Sequence, residues 1–283
     1  MTPPYFIAEM SANHLGRLER ALAIVQAAKL AGADAIKFQT FTPSQMVDNE
    51  AYLANSGPWP GMSLLALYEQ AHMPRSWHPE LFAAAENIGL KPFSSVFHPD
   101  DVDFLETLNC QAYKISSFEL TDICLIQHAA ATKKPLIMST GMATRREIEH
   151  AVHAAYGAGA TQITLLKCTS AYPAPIADAN LQAMPGLWNI GRCAYGLSDH
   201  TTTHTSAICA TVLGAKMIEK HFTIRPRGGP DAAFSLVPEE FAAMVNMCRE
   251  AAASMGSDQF GPTPSESAML HLRRPPGGKR GQG

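Results

Sequence analysis

The amino-acid sequence predicts a (β/α)8 barrel, the TIM-barrel form of the α/β class. Three observations support this prediction: short apolar runs recur eight times, amphipathic stretches separate them, and no GxGxxG motif follows the first run. Eight strands that alternate with helices favour a closed barrel over a doubly wound sheet. A length of 283 residues fits one such barrel as a single domain.

The predicted strands are runs of four to six residues rich in β-branched, aromatic and aliphatic side chains. Such runs are typical of parallel strands that are buried on both faces. In chain order they are Tyr5–Met10, Ala35–Gln39, Lys91–Val96, Gln111–Ile115, Pro135–Ser139, Ile163–Lys167, Ala194–Leu197 and Lys216–Lys220.

Predicted helices fill the connections between these strands, and their ends carry capping signals. Thr144 precedes Glu147 by three residues, as in a capping box, and Gly32 and Gly159 follow helical stretches. The helices indicated by periodicity include Leu18–Ala31, His78–Ile88, Asp100–Leu108, Arg145–Ala158, Thr203–Leu213 and Glu239–Ala253.

Two segments interrupt the alternation. Pro43–Trp77 is too long for an ordinary connection, so we expect an active-site loop there, with a helix over Leu64–Ala71. Residues 273–283 read RRPPGGKRGQG, lack periodicity and are predicted to be disordered. The predicted organisation is therefore a barrel domain over residues 1–272 followed by a tail over residues 273–283.

Composition argues against several classes of function. Hydrophobic residues make up 46% and charged residues 17%, which suits a buried core. A net charge of −3 without a block of basic residues argues against nucleic acid and membrane surfaces as partners. Neither a membrane-spanning run nor a secretory signal is visible. Six cysteines without a CxxC pair indicate free thiols, so we expect a cytoplasmic protein.

Polar side chains end all eight predicted strands. In a (β/α)8 barrel the catalytic groups lie at the carboxyl ends of the strands, whereas a purely structural chain would place apolar or turn residues at most of them. Any single residue of this set is equally well explained by structure, but the whole set indicates an active site. It comprises Glu9, Lys37, Gln39, Ser94, Ser95, Lys114, Ser116, Ser117, Glu119, Ser139, Thr140, Lys167, Thr169, Ser170, Ser198, Asp199, His200, Glu219, Lys220 and His221.

Two of these strand ends carry lysines with serines nearby. Lys37 lies in KFQT and Lys114 in YKISS. Ammonium groups and hydroxyls together can replace the water that a phosphate or a carboxylate loses on binding. The alternative is that both lysines extend past the strand ends into solvent. The pairing of the two motifs favours an anion site.

Two histidines end the last two strands, which are neighbours in a barrel. Neutral imidazoles of His200 and His221 can share one divalent metal and leave positions open for water or a substrate carbonyl. His128 and His150 lie on predicted helices and fit a surface role. Glu119 lies just after the fourth strand. It could serve as an acid or base, and a solvated loop residue explains it equally well.

Ten segments in order along the chain resemble the sialic acid synthase family, whose members condense phosphoenolpyruvate with an N-acetylated amino sugar. The segments are FIAEMSANH, AGADAIKFQTFTP, LYEQAHMPRSWHPELF, KPFSSVF, AYKISSFELTD, KPLIMSTGMAT, LLKCTSAYP, GLSDHT, IEKHFT and GGPDAAFSL. Within the family, SANH, SSFE, GLSDHT and PDAAFSL are similar to the pseudaminic branch rather than to the neuraminate branch.

The resemblance implies a role for each matching residue. Phosphoenolpyruvate contacts would be Lys37, Ser95, Lys114, Ser117, Ser139, Ser170 and Ser198. His200 and His221 would hold a divalent metal, manganese first, with magnesium or cobalt as alternatives. Sugar contacts would be Gln39, Tyr172 and Asp231. Glu9 would lie near the reacting centre, and Glu119 would assist water addition.

The resemblance also implies a reaction and an oligomeric state, and several alternative functions remain open. The expected acceptor is 2,4-diacetamido-2,4,6-trideoxy-altrose, the expected product is a nonulosonic acid, and the expected assembly is a homodimer. Alternatives are a neuraminate or legionaminate synthase, a truncated barrel that binds ligand with little catalysis, and a metal-dependent sugar-phosphate aldolase or epimerase.

The chain departs from the family pattern at a few positions. His14-Leu15-Gly16 stands where members read HNG in NHNG, and Val96-Phe97-His98 stands where they continue FSSPFD. Ser170 stands where the neuraminate branch has asparagine. After Arg274 we expect no antifreeze-like domain, the family's source of one arginine in the sugar site.

Overall fold

Eight parallel strands close into a barrel in the order of the sequence. The computed structural model describes residues 1–47, 52–54, 59, 61–225, 229–274 and 276–278. The strands are β1 Tyr5–Glu9, β2 Ala35–Thr40, β3 Lys91–Val96, β4 Tyr113–Ile115, β5 Leu136–Ser139, β6 Ile163–Cys168, β7 Ala194–Asp199 and β8 Met217–His221. The barrel closes because β1 pairs with both β2 and β8.

Helices follow most strands and cover the outside of the barrel. They are α1 Leu18–Leu30, α2 Pro43–Met46, α3 Leu64–Ala71, α4 His78–Asn87, α5 Pro99–Thr107, α6 Ile123–Ala131, α7 Arg145–Gly157, α8 Thr205–Val212, α9 Pro238–Ser254 and α10 Pro264–Ser267. Short 3₁₀ segments are Ser11–His14, Arg75–Trp77, Ile176–Ala179, Leu181–Asn189, Ala232–Phe234 and Leu270–Leu272.

The predicted fold is confirmed, and each predicted strand or helix coincides with an observed one to within two residues at each end. The connection between β6 and β7 differs from the others, because it is built from two 3₁₀ segments instead of an α-helix. Pro185 lies inside the second segment, where its missing N–H and its ring disfavour a continuous α-helix.

Along each strand, successive side chains point alternately outward, to the core between strands and helices, and inward, to the mouth of the barrel. On β2, the ring of Phe38 packs outward against Phe82 of α4, at 5.6 Å between centroids. Its neighbour Lys37 faces inward and contacts Glu9 of β1. Because successive side chains of a strand point to opposite faces, every second residue near the carboxyl ends reaches one shared mouth.

The long connection after β2 contains the predicted helix, α3, with the bounds that the sequence indicates. Buried histidines anchor its end: a ring nitrogen of His14 lies 3.2 Å from the Ala71 carbonyl oxygen, and one of His78 lies 2.8 Å from Thr40 Oγ1. Residues 48–51, 55–58 and 60 of this connection lie outside the described residues.

The predicted tail falls partly outside the described residues, which leave out Pro275 and residues 279–283. Arg274 Nε donates to the Gly278 carbonyl oxygen at 2.8 Å. The division into residues 1–272 and 273–283 stays a prediction.

Two further observations concern the chain as a whole. All six cysteines are described and free, and four of them, Cys110, Cys168, Cys193 and Cys248, are buried. Within the described ranges, the helices are too short or too polar to cross a membrane.

Candidate active site

The two strand-end lysines lie inside the mouth. Lys37 is 3% exposed and Lys114 is 2% exposed, so the alternative in which they extend into solvent is wrong. Lys37 Nζ lies 2.6 Å from Glu9 Oε2 and donates to Ser95 Oγ at 2.7 Å. The neighbouring strands β1, β2 and β3 thus place a carboxylate, an ammonium and a hydroxyl in contact.

Glu219 of β8 lies between the two lysines. Its Oε1 is 3.8 Å from both Lys37 Nζ and Lys114 Nζ, and it accepts a hydrogen bond from Ser198 Oγ at 3.1 Å. Burial raises the pKa of Glu219, but Lys114 and Lys37 outweigh it, so the net shift is downward and the group is ionised. Burial is the largest influence on Lys114, whose pKa is lowered.

Glu9 titrates differently from Glu219. Burial raises its pKa, the Lys37 ammonium opposes this, and the nearby Glu219 carboxylate adds to it, which brings the pKa to about 7. A carboxyl group with such a pKa can gain or lose a proton near neutral pH. Lys37 shows the reverse balance, because Glu219 and Glu9 outweigh burial and raise its pKa.

A hydrogen-bonded chain joins three residues for which the sequence implied a place near the reacting sugar. Gln39 Nε2 donates to Glu9 Oε1 at 2.9 Å and to Ser11 Oγ at 3.0 Å. Ser11 Oγ donates to Asp231 Oδ2, which also accepts from the Ala12 N–H at 3.2 Å. Burial raises the pKa of Asp231. Glu9, Gln39 and Asp231 therefore lie along one side of the mouth.

Three predicted serines lie at the ends of β4, β5 and β6. Ser117 Oγ accepts from the Gly141 N–H at 3.0 Å. A Cβ at Gly141 would overlap Ser170 Oγ and lie 2.8 Å from Ser117 Oγ, so only glycine lets the two hydroxyls approach this closely. Ser139 Oγ is buried and has no hydrogen-bond partner among the described residues. A buried hydroxyl in that state suits a ligand that supplies the partner.

The two histidines meet at the ends of the neighbouring strands β7 and β8, with ring centroids 5.3 Å apart. His200 Nδ1 lies 2.9 Å from the Thr169 carbonyl oxygen, so Nδ1 carries the proton that is donated. His221 Nδ1 is buried and lacks a partner within the described ranges. Burial, followed by His200 and the lysines, lowers the pKa of His221 well below its ordinary value. The ring is therefore neutral, as a metal ligand must be.

Described residues do not form a group of three or more His, Cys, Asp or Glu side chains able to hold a metal ion. A cation shared by His200 and His221 alone needs further ligands from water or substrate, and open positions of this kind are usual in catalytic metal sites. The neutral His221 ring with its unpartnered Nδ1 fits such a cation.

Aromatic rings and a thiol surround the histidines. The Tyr172 ring lies 4.3 Å from that of His200, and the Phe234 ring lies 4.8 Å from that of His221. Trp59 adds a third ring, 6.0 Å from Tyr172. Cys168 Sγ lies 3.8 Å from His200 Nδ1. Burial raises the pKa of this thiol, but the charge and hydrogen bond of His200 lower it to about 7.

Glu119 lies at the edge of the mouth and accepts a hydrogen bond from Ser116. It is half-buried, and burial raises its pKa despite that hydrogen bond and the charge of Lys114. Glu119 is therefore partly shielded from water, and its role as an acid or base stays a prediction.

Sequence reasoning missed several of these residues. Cys168 ends β6 but was not in the predicted strand-end set, and Glu219 was in that set without a specific role. Alternation from His221 and pairing with Ser198 place both inside the mouth. Ser11 lies in the SANH segment without a distinguishing signal. Trp59 lies in a loop and Phe234 ends a three-residue 3₁₀ segment, and periodicity gives no information in either place.

A closed (β/α)8 barrel whose mouth places buried lysines beside a pair of buried histidines is the architecture of an enzyme that acts on a small anionic molecule. The family model described as the NeuB family matches residues 24–260. The chain belongs to the NeuB family, which confirms the resemblance to the sialic acid synthases.

Individual relatives and structures agree with this assignment. The chain is 42% identical over 263 residues to a pseudaminic acid synthase of Helicobacter pylori, covering 92% of this chain and 77% of the relative. It is 36% identical over 279 residues to the N,N'-diacetyllegionaminic acid synthase of Legionella pneumophila, covering 95% and 78%. Its fold is similar to an N-acetylneuraminic acid synthetase of Leptospira borgpetersenii in complex with citrate, with a TM-score of 0.86, 28% identity and 95% and 90% coverage.

Proposed function

We propose that this protein condenses phosphoenolpyruvate with an N-acetylated amino sugar to form a nonulosonic acid and phosphate. The observation that carries the proposal is the juxtaposition in one mouth of two buried lysines and two buried histidines. Among the acceptors we favour 2,4-diacetamido-2,4,6-trideoxy-altrose, because identity is 42% to a pseudaminic acid synthase and 36% to a legionaminic acid synthase. We place the enzyme in the cytoplasm as a homodimer.

Phosphoenolpyruvate would bind at the lysines. Its phosphate and carboxylate lose water on entering a buried site and need positive charge and hydrogen-bond donors in return. Lys37 and Lys114 provide the charge, and the hydroxyl groups come from Ser95, Ser117, Ser139, Ser170 and Ser198. Before the ligand arrives, Glu9 and Glu219 hold the two ammonium groups in place. The ligand therefore competes with carboxylates for lysines that are already positioned.

His200 and His221 would hold the divalent cation, with manganese favoured and magnesium or cobalt as alternatives. A bound cation of this type polarises the aldehyde oxygen of the open-chain sugar. The hydrogen bond of His200 Nδ1 to the Thr169 carbonyl oxygen fixes the ring and leaves Nε2 free of that proton. Tyr172 and Phe234 pack against the two imidazoles and restrict access of bulk water.

The reaction forms one carbon–carbon bond and breaks one carbon–oxygen bond. The methylene carbon of phosphoenolpyruvate bonds to the aldehyde carbon, and the aldehyde oxygen takes a proton. The former enol carbon becomes electron-poor, and water adds to it and loses one proton. Phosphate then departs with the electron pair of its C–O bond, while the added hydroxyl loses its proton and becomes the keto oxygen of the product. The carboxyl groups with raised pKa are suited to move these protons: Glu119 toward the water, and Glu9 beside the sugar.

Release of phosphate tests the proposal and separates the acceptors. The protein is incubated with phosphoenolpyruvate, manganese and one sugar at a time: the altro-configured diacetamido sugar, its manno-configured counterpart, or N-acetylmannosamine. We expect sugar-dependent phosphate release that is fastest with the altro sugar, and a product with the mass of the condensed acid. If the protein binds phosphoenolpyruvate but releases no phosphate from it in the presence of any of the sugars, the protein is a ligand-binding barrel instead.

A further inference from the structure

A buried ion pair lies next to the two histidines in sequence, on the outer face of β7 and β8. Lys220 is 0% exposed, and its Nζ lies 2.7 Å from Asp199 Oδ2. Both side chains point away from the mouth, because their neighbours His221 and Ser198 point into it. The pair therefore lies between the barrel and its helices and does not contact the mouth.

The same ammonium closes the turn that follows β7. Lys220 Nζ donates to the Thr201 carbonyl oxygen, and to the Thr203 carbonyl oxygen at 3.3 Å. Asp199 Oδ1 accepts from the Thr201 N–H at 2.9 Å. A single side chain of β8 thus binds the strand end of β7 and two carbonyl groups of its turn.

This contact lies next to both histidines in the sequence. His200 is inside the closed turn, and His221 directly follows Lys220. The register of β7 and β8 pairs Asp199 with Lys220, so the ion pair joins the two strands one residue before each histidine.

We propose that Asp199 and Lys220 form a positioning pair, which fixes the turn after β7 and thereby the spacing of His200 and His221. The inference rests on the proposed metal site. A buried ion pair contributes little net stability compared with apolar side chains of similar volume. Its specific effect here is geometric, because Lys220 donates to carbonyl groups that apolar side chains would leave unbound.

Two variants and a control test the inference. Lys220→Met removes the donor but leaves the Asp199 charge buried and unpaired, so its melting temperature should fall. The double variant Lys220→Met/Asp199→Asn removes that charge as well and should regain much of the loss. Lys134→Met is the control, because Lys134 Nζ forms a 2.6 Å ion pair with Glu106 at the opposite end of the barrel.

The first measurement is titration of each protein with manganese alone. Residues that orient metal ligands typically change metal affinity by about 10–100-fold, and we expect that loss in both Lys220 variants and not in Lys134→Met. A double variant with recovered melting temperature and the manganese affinity of the unsubstituted protein would overturn the inference.

The second measurement is hydrogen exchange of the amides of residues 200–204, which needs no metal. Exchange should be faster in both Lys220 variants than in the unsubstituted protein and in Lys134→Met. Unchanged exchange would overturn the inference. If the unsubstituted protein binds no manganese, the proposed metal site fails, and exchange alone still decides whether the pair fixes the turn.

Discussion

In the half of the mouth built by β2, β3 and β4, two lysines lie among carboxylates, whereas in the half built by β7 and β8 two imidazoles lie among aromatic rings. In the lysine half, defined by Lys37, Ser95 and Lys114, charges are balanced by Glu9 and Glu219. In the histidine half, defined by His200 and His221, one ring is neutral, and its Nδ1 is unpartnered among the described residues.

The difference indicates how each half meets its ligand. An anion that enters the lysine half must displace carboxylates, so only a strongly charged group competes well. A cation that enters the histidine half displaces no hydrogen bond of His221, because Nδ1 makes none within the described ranges. Glu219 links the halves, since it contacts both lysines and lies two residues before His221.

Removal of the histidine half should have the largest effect. His200→Ala or His221→Ala should lower turnover roughly a thousandfold or more, about 4 kcal/mol of transition-state stabilisation. Excess chelator should abolish turnover of the unsubstituted protein, and manganese, cobalt or magnesium should restore it. His150→Ala, on the exposed face of α7, is the control. Full turnover in excess chelator would refute metal dependence.

A third buried histidine, His78, contacts the end of β2 in the lysine half, but its ring nitrogens are not available to a ligand. Burial lowers the pKa of His78 to about 4, although its hydrogen bond to the Pro74 carbonyl oxygen opposes this. Its other ring nitrogen lies 2.8 Å from Thr40 Oγ1 at the end of β2. Both nitrogens of His78 are thus occupied, whereas His221 Nδ1 has no partner among the described residues.

The free energy of unfolding should therefore fall in acid. Between a pKa near 6.5 in the unfolded chain and about 4 in the fold, the unfolded chain binds more protons at His78. The stabilisation is complete above the upper value and is lost as pH falls toward the lower one, by at most roughly 3 kcal/mol. Urea unfolding across this range should show a smaller pH dependence in His78→Gln. An unchanged dependence would contradict the assignment.

The fold was predictable because hydrophobic periodicity depends on residues that are close in sequence. Which side chains enter the site was less predictable, because it depends on how each strand is oriented and registered in the barrel. Lys37 and Lys220 both lie at the ends of short strands, yet one enters the mouth and the other lies behind it. Alternation along the strand decides this once one of its residues is known to enter the mouth, and the sequence does not identify that residue directly. Lys220 was therefore grouped with the strand-end residues of the site. Trp59 reaches Tyr172 from a loop that has no periodic pattern.

Substitution of Lys37 or Lys114 should have the next largest effect. Lys37→Met or Lys114→Met removes a charge-assisted contact worth about 1.5–3 kcal/mol, so phosphoenolpyruvate should bind about 10- to 150-fold more weakly by calorimetry. Lys37→Met should also lower the melting temperature more, because it leaves Glu9 without its partner at 2.6 Å, whereas Lys114 lies 3.8 Å from Glu219. Unchanged binding in both variants would refute the lysine site.

The smallest effect should come from two serines that differ only in their partners. Ser139 Oγ makes no hydrogen bond to the described residues, whereas Ser198 Oγ donates to Glu219 at 3.1 Å. Ser139→Ala should leave the free energy of unfolding unchanged and weaken phosphoenolpyruvate binding by about 0.5–1.5 kcal/mol, roughly 2- to 12-fold. Ser198→Ala should lower both quantities, because its hydroxyl also binds a buried carboxylate. A Ser139→Ala protein that is less stable but binds phosphoenolpyruvate normally would show that this hydroxyl serves the fold and not the ligand.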